Sequence, residues 1–239
     1  MILTIIVFFY AFISVIFLTV IGLPINFICF LGLQKFRQPI NFFIARGWAR
    51  SLIKLVRCKL TITGMENVPK KGGLCFVSNH GSIFDVLLVL VAAGRPFGFI
   101  AKKELLYVPF INMWISMLGG YFIDRKNLRK SFKTINKGIN RIKTGEAMIV
   151  FPEGSRSRGQ GLLPFRAGSL KLATQAQAPI IPIAIKNSYD VFEKNYRIRP
   201  SIVNVTVCKP IYTAVLPVTD RTHILSDKVY QQIKEALEN

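Results

Sequence analysis

Leu74-Cys75-Phe76-Val77-Ser78-Asn79-His80-Gly81-Ser82-Ile83-Phe84-Asp85, followed by the apolar run Val86–Val91, is the stretch that decides the fold. It reads as a short buried strand, a polar turn and the opening of an apolar helix, which is the repeating unit of α/β proteins. Further strands are predicted at Phe97–Ala101, Tyr121–Ile123, Ala147–Phe151, Ile180–Ile185 and Ile202–Val207. Between two of them, Leu128, Phe132, Ile135, Ile139 and Ile142 recur at spacings of four, three, four and three, with lysines and arginines filling the gaps. That spacing predicts an amphipathic helix covering a sheet. A last helix is predicted from about Ser226 to Leu237, and no internal repeat or low-complexity tract interrupts the series.

Composition restricts where such a chain works. Against 32 Lys and Arg stand 12 Asp and Glu, a net charge of +20, in a chain that is 51% hydrophobic. A basic chain with positive mean hydropathy suits an anionic membrane surface rather than nucleic acid. The cysteines, Cys29, Cys58, Cys75 and Cys208, are scattered without a C-x-x-C pair. They are expected to be reduced thiols in a cytoplasmic compartment, and no metal site is signalled.

From Met1 to Gln34 there is no charged residue. Ile2–Ile21 alone would span about 30 Å as a helix, the thickness of a bilayer core. A cleaved signal peptide competes with this reading, but the basic leading segment is missing and no convincing cleavage site follows. A buried hairpin of a soluble core is the other alternative. Gly22 and Pro24 are expected to interrupt the apolar run, leaving either one span with an interfacial helix or a hairpin. The following mixture, Lys35, Phe36, Arg37, Phe42, Phe43, Arg46, Trp48, Arg50, Lys54 and Arg57, suits lipid headgroups, and the positive-inside tendency places the remainder in the cytoplasm. The expected organisation is an anchor over residues 1–58 and a catalytic unit over 59–239.

His80 is one of two histidines and stands five residues before Asp85. On a regular helix that separation sets two side chains about 140° apart, so they meet only if His80 lies in the turn and folds back, a bend that Gly81 is expected to ease. A neutral imidazole takes the proton of an attacking hydroxyl, and a carboxylate on its other nitrogen fixes the tautomer. Ser82-x-x-Asp85 also fits a capping box, in which Asp85 only stabilises the helix start. The weight shifts with three further segments at predicted strands: Gly120-Tyr121-Phe122-Ile123-Asp124-Arg125, Phe151-Pro152-Glu153-Gly154-Ser155-Arg156-Ser157 and Pro179-Ile180-Ile181-Pro182-Ile183. Strand ends of an open α/β sheet share one crevice, where Arg125, Arg156 and the turn at Gly154 can meet a phosphate.

The four blocks, in this order, resemble those of the PlsC-type 1-acylglycerol-3-phosphate acyltransferases within the glycerolipid acyltransferase superfamily, over about residues 60 to 211. The resemblance implies a mixed α/β sheet flanked by helices behind a helical anchor. It implies His80 as general base and Asp85 as its orienting partner. Arg125, Glu153, Gly154, Ser155 and Arg156 are implied to hold the acceptor's glycerol phosphate. Lys102, in a further matching block, is implied to help with the phosphate or the thioester oxyanion. Ser155 stands where the family often has threonine. The implied reaction is direct acyl transfer to the sn-2 hydroxyl of lysophosphatidic acid, with acyl-CoA or acyl carrier protein as co-substrate and no metal or bound cofactor. Either Val86–Val91 or Tyr107–Leu118 is expected to line the acyl chain. A sibling acyltransferase using glycerol-3-phosphate or another lysophospholipid is the near alternative. A non-catalytic basic membrane-surface protein is the distant one.

Overall fold

The computed structural model describes residues 1–166, 168–213 and 221–238. Two helices come first, α1 (Ile2–Phe30) and α2 (Gln34–Leu55), followed by β1 (Lys59–Thr63), β2 (Leu74–Ser78), α3 (Asp85–Ala92) and β3 (Phe97–Lys102). Then come α4 (Ile111–Met117), β4 (Tyr121–Ile123), α5 (Leu128–Lys143), β5 (Ala147–Val150) and α6 (Lys171–Ala176). The chain closes with β6 (Ile180–Lys186), β7 (Ile202–Val207) and α7 (Arg221–Glu238). The strands form one sheet of order β1-β7-β6-β2-β5-β3-β4. Every pairing is parallel except that of β6 with β7.

The central strands β2 and β5 are buried at every position, as continuous apolar runs should be in a parallel sheet covered on both faces. Helices α1 to α4 pack on one face around Phe42, Phe76, Leu88 and Phe97. Helices α5 to α7 pack on the other around Ile139, Leu172, Ile180 and Val229. Six strands lie where the apolar runs predicted them, three with the same bounds and three with the last residue shifted by one. The seventh, β1, was not predicted: Lys59-Leu60-Thr61-Ile62-Thr63 is exposed at alternate positions, and its strand partner is β7, far along the chain. The last helix begins at Arg221, before the predicted start.

Three expectations are corrected. Gly22 and Pro24 do not interrupt the first helix, which runs unbroken to Phe30, and the reversal falls at Leu31–Leu33. A Cβ on Gly22 would lie 3.8 Å from the Trp114 ring, so this glycine gives room for α4. The segment is therefore an antiparallel hairpin, cross-linked by Tyr10 Oη to Ser51 Oγ (2.9 Å), Trp48 Nε1 to Ser14 Oγ (2.8 Å) and a reciprocal Asn26–Asn41 amide pair. Helix α1 is long and apolar enough to cross a membrane, and most of its large side chains, Phe9, Phe12, Phe17 and Phe27 among them, are exposed. Second, α5 covers the sheet only in part: Ile139 and Ile142 are buried, whereas Leu128 is 86% and Phe132 59% exposed. Third, most of Val86–Val91 is sealed in the core and is left no room to line a channel; of the other segment, Tyr107–Leu118, only Trp114, Met117 and Leu118 are buried, Trp114 being bonded from Nε1 to Thr19 Oγ1 of α1 at 2.9 Å. An apolar groove of about 840 Å³ instead lies between α1 and α2, lined by Phe9, Phe17 and Trp48 among others.

Candidate active site

The turn after β2 carries His80, and α3 opens at Asp85, so the two side chains meet, the arrangement that the sequence allows only with His80 in the turn. His80 Nδ1 lies 2.8 Å from Asp85 Oδ2, the carboxylate is fully buried, and the histidine side chain is 19% exposed. The same Oδ2 accepts from Ser82 N at 2.8 Å, and Ser82 Oγ accepts from Phe84 N at 3.1 Å. The capping bond and the histidine bond are thus made by one oxygen. Asp85 Oδ1 is buried with no partner among the described residues, so the charge faces the imidazole. Gly81 does not take a left-handed conformation, and a Cβ there would meet Ser188 Oγ at an ordinary 3.5 Å. The bend is made instead by anchoring bonds. Asn79 clamps the backbone of Ile185 with both amide atoms, at 2.9 and 2.8 Å. His80 N donates to Glu153 Oε1 (2.5 Å), and His80 O accepts from Ser157 N (2.7 Å). The imidazole stacks on Phe151, with ring centroids 4.3 Å apart.

The turn after β5 lies beside this one because β5 pairs with β2. Glu153 is buried, and its second oxygen accepts from Leu163 N at 3.0 Å. Burial raises its carboxyl, opposed by those two N–H donors. Its carboxylate therefore supports the backbone. Gly154 has φ +73, and a Cβ would strike Arg166 Nε at 2.4 Å. Here glycine is required twice, for its conformation and for the approach of that side chain. Arg125 donates to the Gly154 carbonyl and Arg166 to the Glu153 carbonyl, so two guanidinium groups straddle the turn. Desolvation, with Arg166 as the next cause, lowers Arg125 from its ordinary value. A pair of like charges so placed is stabilised by an anion.

Ser155 is exposed at the tip. Arg156 points to Glu193, 3.0 Å away. Lys102, at the end of β3, is paired with Glu104 at 3.5 Å, and both are about half exposed. The structure thus gathers His80, Asp85, Glu153, Gly154 and Arg125 around two neighbouring turns, with Arg156 joined through Glu193. It gives no contact between Lys102 and that cluster.

Sequence reasoning missed Glu193, Arg166 and Asn79. Glu193 is buried; its Oε2 accepts from Ser82 Oγ at 2.6 Å and its Oε1 from Ile83 N at 2.7 Å and from Arg156. One carboxylate therefore binds both the turn that holds Asp85 and the arginine of the next block. A usable signal existed: with only 12 acidic residues in the chain, each carboxylate carries information.

The fold and the paired strand-end turns define an α/β protein with a polar crevice at the ends of its parallel strands, and comparison with known proteins gives the family. The Acyltransferase family model matches residues 59–186, and the chain belongs to that family. A 1-acyl-sn-glycerol-3-phosphate acyltransferase of Saccharomyces cerevisiae is 32% identical over 225 residues, covering 90% of this chain and 71% of the yeast protein. One from Borreliella burgdorferi is 31% identical over 156 residues, covering 65% of this chain and 62% of its own length. Several bacterial relatives are matched over still less; the chain spans 57% of the Salmonella typhimurium protein of the same name. The crystal structure of the 1-acyl-sn-glycerophosphate acyltransferase PlsC from Thermotoga maritima superposes with a TM-score of 0.85 at 24% identity, covering 99% of this chain and 95% of that one. At that identity the likeness speaks for the fold.

Proposed function

We propose that this chain transfers a fatty acyl group from a thioester, acyl-CoA or acyl carrier protein, to the sn-2 hydroxyl of 1-acyl-sn-glycerol-3-phosphate, giving phosphatidic acid. The observation that carries the reading is the 2.8 Å contact of His80 Nδ1 with the buried Asp85 carboxylate in the turn after β2. The names of the relatives supply the acceptor. With Nδ1–H donated to Asp85, Nε2 is the unprotonated nitrogen. It takes the proton of the acceptor hydroxyl as that oxygen attacks the thioester carbonyl. The tetrahedral intermediate then expels the thiolate, which recovers the proton from the imidazolium. Asp85, desolvated and facing the ring, stabilises that imidazolium.

Arg125 and Arg166 around Gly154, with Ser155 and Arg156, hold the acceptor's phosphate. Glu153 acts differently from its neighbours: it fixes the backbone of His80. Lys102, already salt-bridged to Glu104, has the least support for a substrate role. No metal or organic cofactor enters this scheme. Residues 1–58 form the membrane-anchoring hairpin, and 59–239 the catalytic unit on the cytoplasmic side, in contact with anionic phospholipid.

The test is acyl transfer by purified protein in lysophosphatidic acid micelles, supplied separately with acyl-CoA and acyl carrier protein, beside a His80→Ala control. Phosphatidic acid formed by the parent protein alone is the expected result and names the donor. Product with glycerol-3-phosphate or another lysophospholipid instead would replace the acceptor. Equal rates with the His80→Ala variant would remove the mechanism.

A further inference from the structure

The apolar stripe of α5 is longer than the surface it covers. Leu128 and Phe132 lie on the same side of the helix as Ile135, Ile139 and Ile142, yet they are 86% and 59% exposed while Ile139 and Ile142 are 5% and 2%. The reason is topological. The sheet ends at β4, an edge strand of three residues, so the first turns of α5 overhang it. A second exposed apolar segment lies alongside: Leu105 is 37%, Leu106 47%, Tyr107 79% and Val108 40% exposed. The two are joined by Lys103, whose ammonium lies 2.9 Å from Asp124 at the junction of β4 and α5.

Around this surface stand Lys126, Arg129, Lys130 and Lys133, and the only carboxylate among residues 124–133, Asp124, is already bonded to Lys103. Exposed aliphatic and aromatic side chains set among cations that have no carboxylate partner among the described residues are the composition of a helix lying at anionic headgroups. The segment is also continuous with the lipid-facing hairpin. Asn112 Nδ2 of α4 bonds the Leu106 carbonyl at 2.9 Å, and Trp114 of the same helix bonds Thr19 of α1. In a chain tethered by α1, a weak second contact is intramolecular and fills at high effective concentration.

We infer that the first turns of α5 and the adjoining segment 103–108 form a second membrane-contact surface, selective for anionic lipid headgroups and separate from the α1–α2 hairpin. The inference rests on α1 lying in lipid and not on the acyl-transfer reading, so its test does not use turnover. Full-length protein with Phe132→Cys is labelled with an environment-sensitive fluorophore and reconstituted in phosphatidylcholine vesicles with or without phosphatidylglycerol, each containing nitroxide lipid. The parent protein labelled in parallel gives the background of its four cysteines. Phe17→Cys on α1 reports insertion of the hairpin, and Lys234→Cys, at an exposed position of α7, reports solvent. The probe at 132 is expected to be quenched in phosphatidylglycerol vesicles and several-fold less when Arg129→Glu and Lys130→Glu are added, with the probe at 17 unaffected.

A probe at 132 no more quenched than that at 234, while that at 17 is quenched, overturns the inference. So does shielding of residue 132 by an added acidic carrier protein without lipid quenching, which would make the surface a protein-docking site. An unquenched probe at 17 removes the premise and the inference with it.

Discussion

In the crevice at the strand ends, each of the three buried carboxylates, Asp85, Glu153 and Glu193, accepts from at least one backbone N–H, whereas the α1–α2 hairpin is cross-linked by uncharged side chains. The difference follows from the surroundings. A carboxylate is costly in an apolar setting unless N–H groups and cations compensate it, and turns at strand ends offer free N–H groups in quantity. Helices satisfy their own backbone, and α1, which is long and apolar enough to cross a membrane, offers only neutral side chains with which to set the register of the hairpin. Polar bonds fix reactive geometry in one region and helix alignment in the other. Variants should therefore separate cleanly into losses of chemistry and losses of assembly.

The largest effect belongs to His80→Ala. Loss of a positioned general base lowers turnover by roughly 10²- to 10⁴-fold, while sedimentation with vesicles is unchanged. Turnover and attachment falling together would break the contrast between the regions. Glu193→Ala is next. It leaves the Ile83 N–H, the Ser82 hydroxyl and Arg156 without their shared acceptor, a cost of about 1–3 kcal/mol for each buried group left unsatisfied. The expected result is a lower melting temperature and a fall in kcat larger than any change in donor KM, with partial rescue by Glu193→Gln. Rescue to parental kcat by Glu193→Gln would reduce Glu193 to a neutral acceptor with no electrostatic part.

On the hairpin side, Asn41→Ala removes a fully buried amide bonded to Asn26 and to the Arg37 carbonyl. About 1–3 kcal/mol of stability should be lost, read as a lower melting temperature in detergent, with KM for both substrates unchanged. A changed acceptor KM would show that the hairpin also shapes the site. Arg156→Ala sharpens the same boundary from the other side. If it binds the acceptor phosphate, the acceptor KM rises more than the donor KM, because such a contact is largely uniform binding. An unchanged acceptor KM would leave Arg156 as the partner of Glu193 alone.

What the sequence made legible follows physical range. β2, β5 and β6 were readable because strands covered on both faces read as nearly continuous apolar runs, and the His80–Asp85 contact was readable because five residues and a turn suffice to make it. β1 was not, since its partner β7 begins at Ile202 and its own residues are half exposed. The stripe on α5 was correctly periodic, but periodicity says nothing of where the sheet beneath it stops. Glu193 was invisible for the same reason: its bonds reach back 110 and 111 residues to Ile83 and Ser82. Arg166 was passed over because the motif that drew attention ended before it.

The smallest expected effect concerns the join between the two regions' supports, the Lys103–Asp124 pair at the foot of α5. Hydrogen bonding to Lys103 lowers the Asp124 carboxyl, and the bond to Asp124 raises Lys103. A depressed carboxyl contributes stability that is present above its unfolded value and is lost as the pH falls through its folded value. A raised lysine contributes below its own unfolded value and loses that contribution as the pH rises through the folded one. The tether between segment 103–108 and α5 therefore holds across the neutral range and slackens at both extremes. Asp124→Asn should flatten the acid side of the melting-temperature profile by a small amount and leave the crevice chemistry intact at neutral pH. A profile unchanged from the parent would mean that solvent already screens the pair, and that the capping of α5 by Asn127 holds the junction without it.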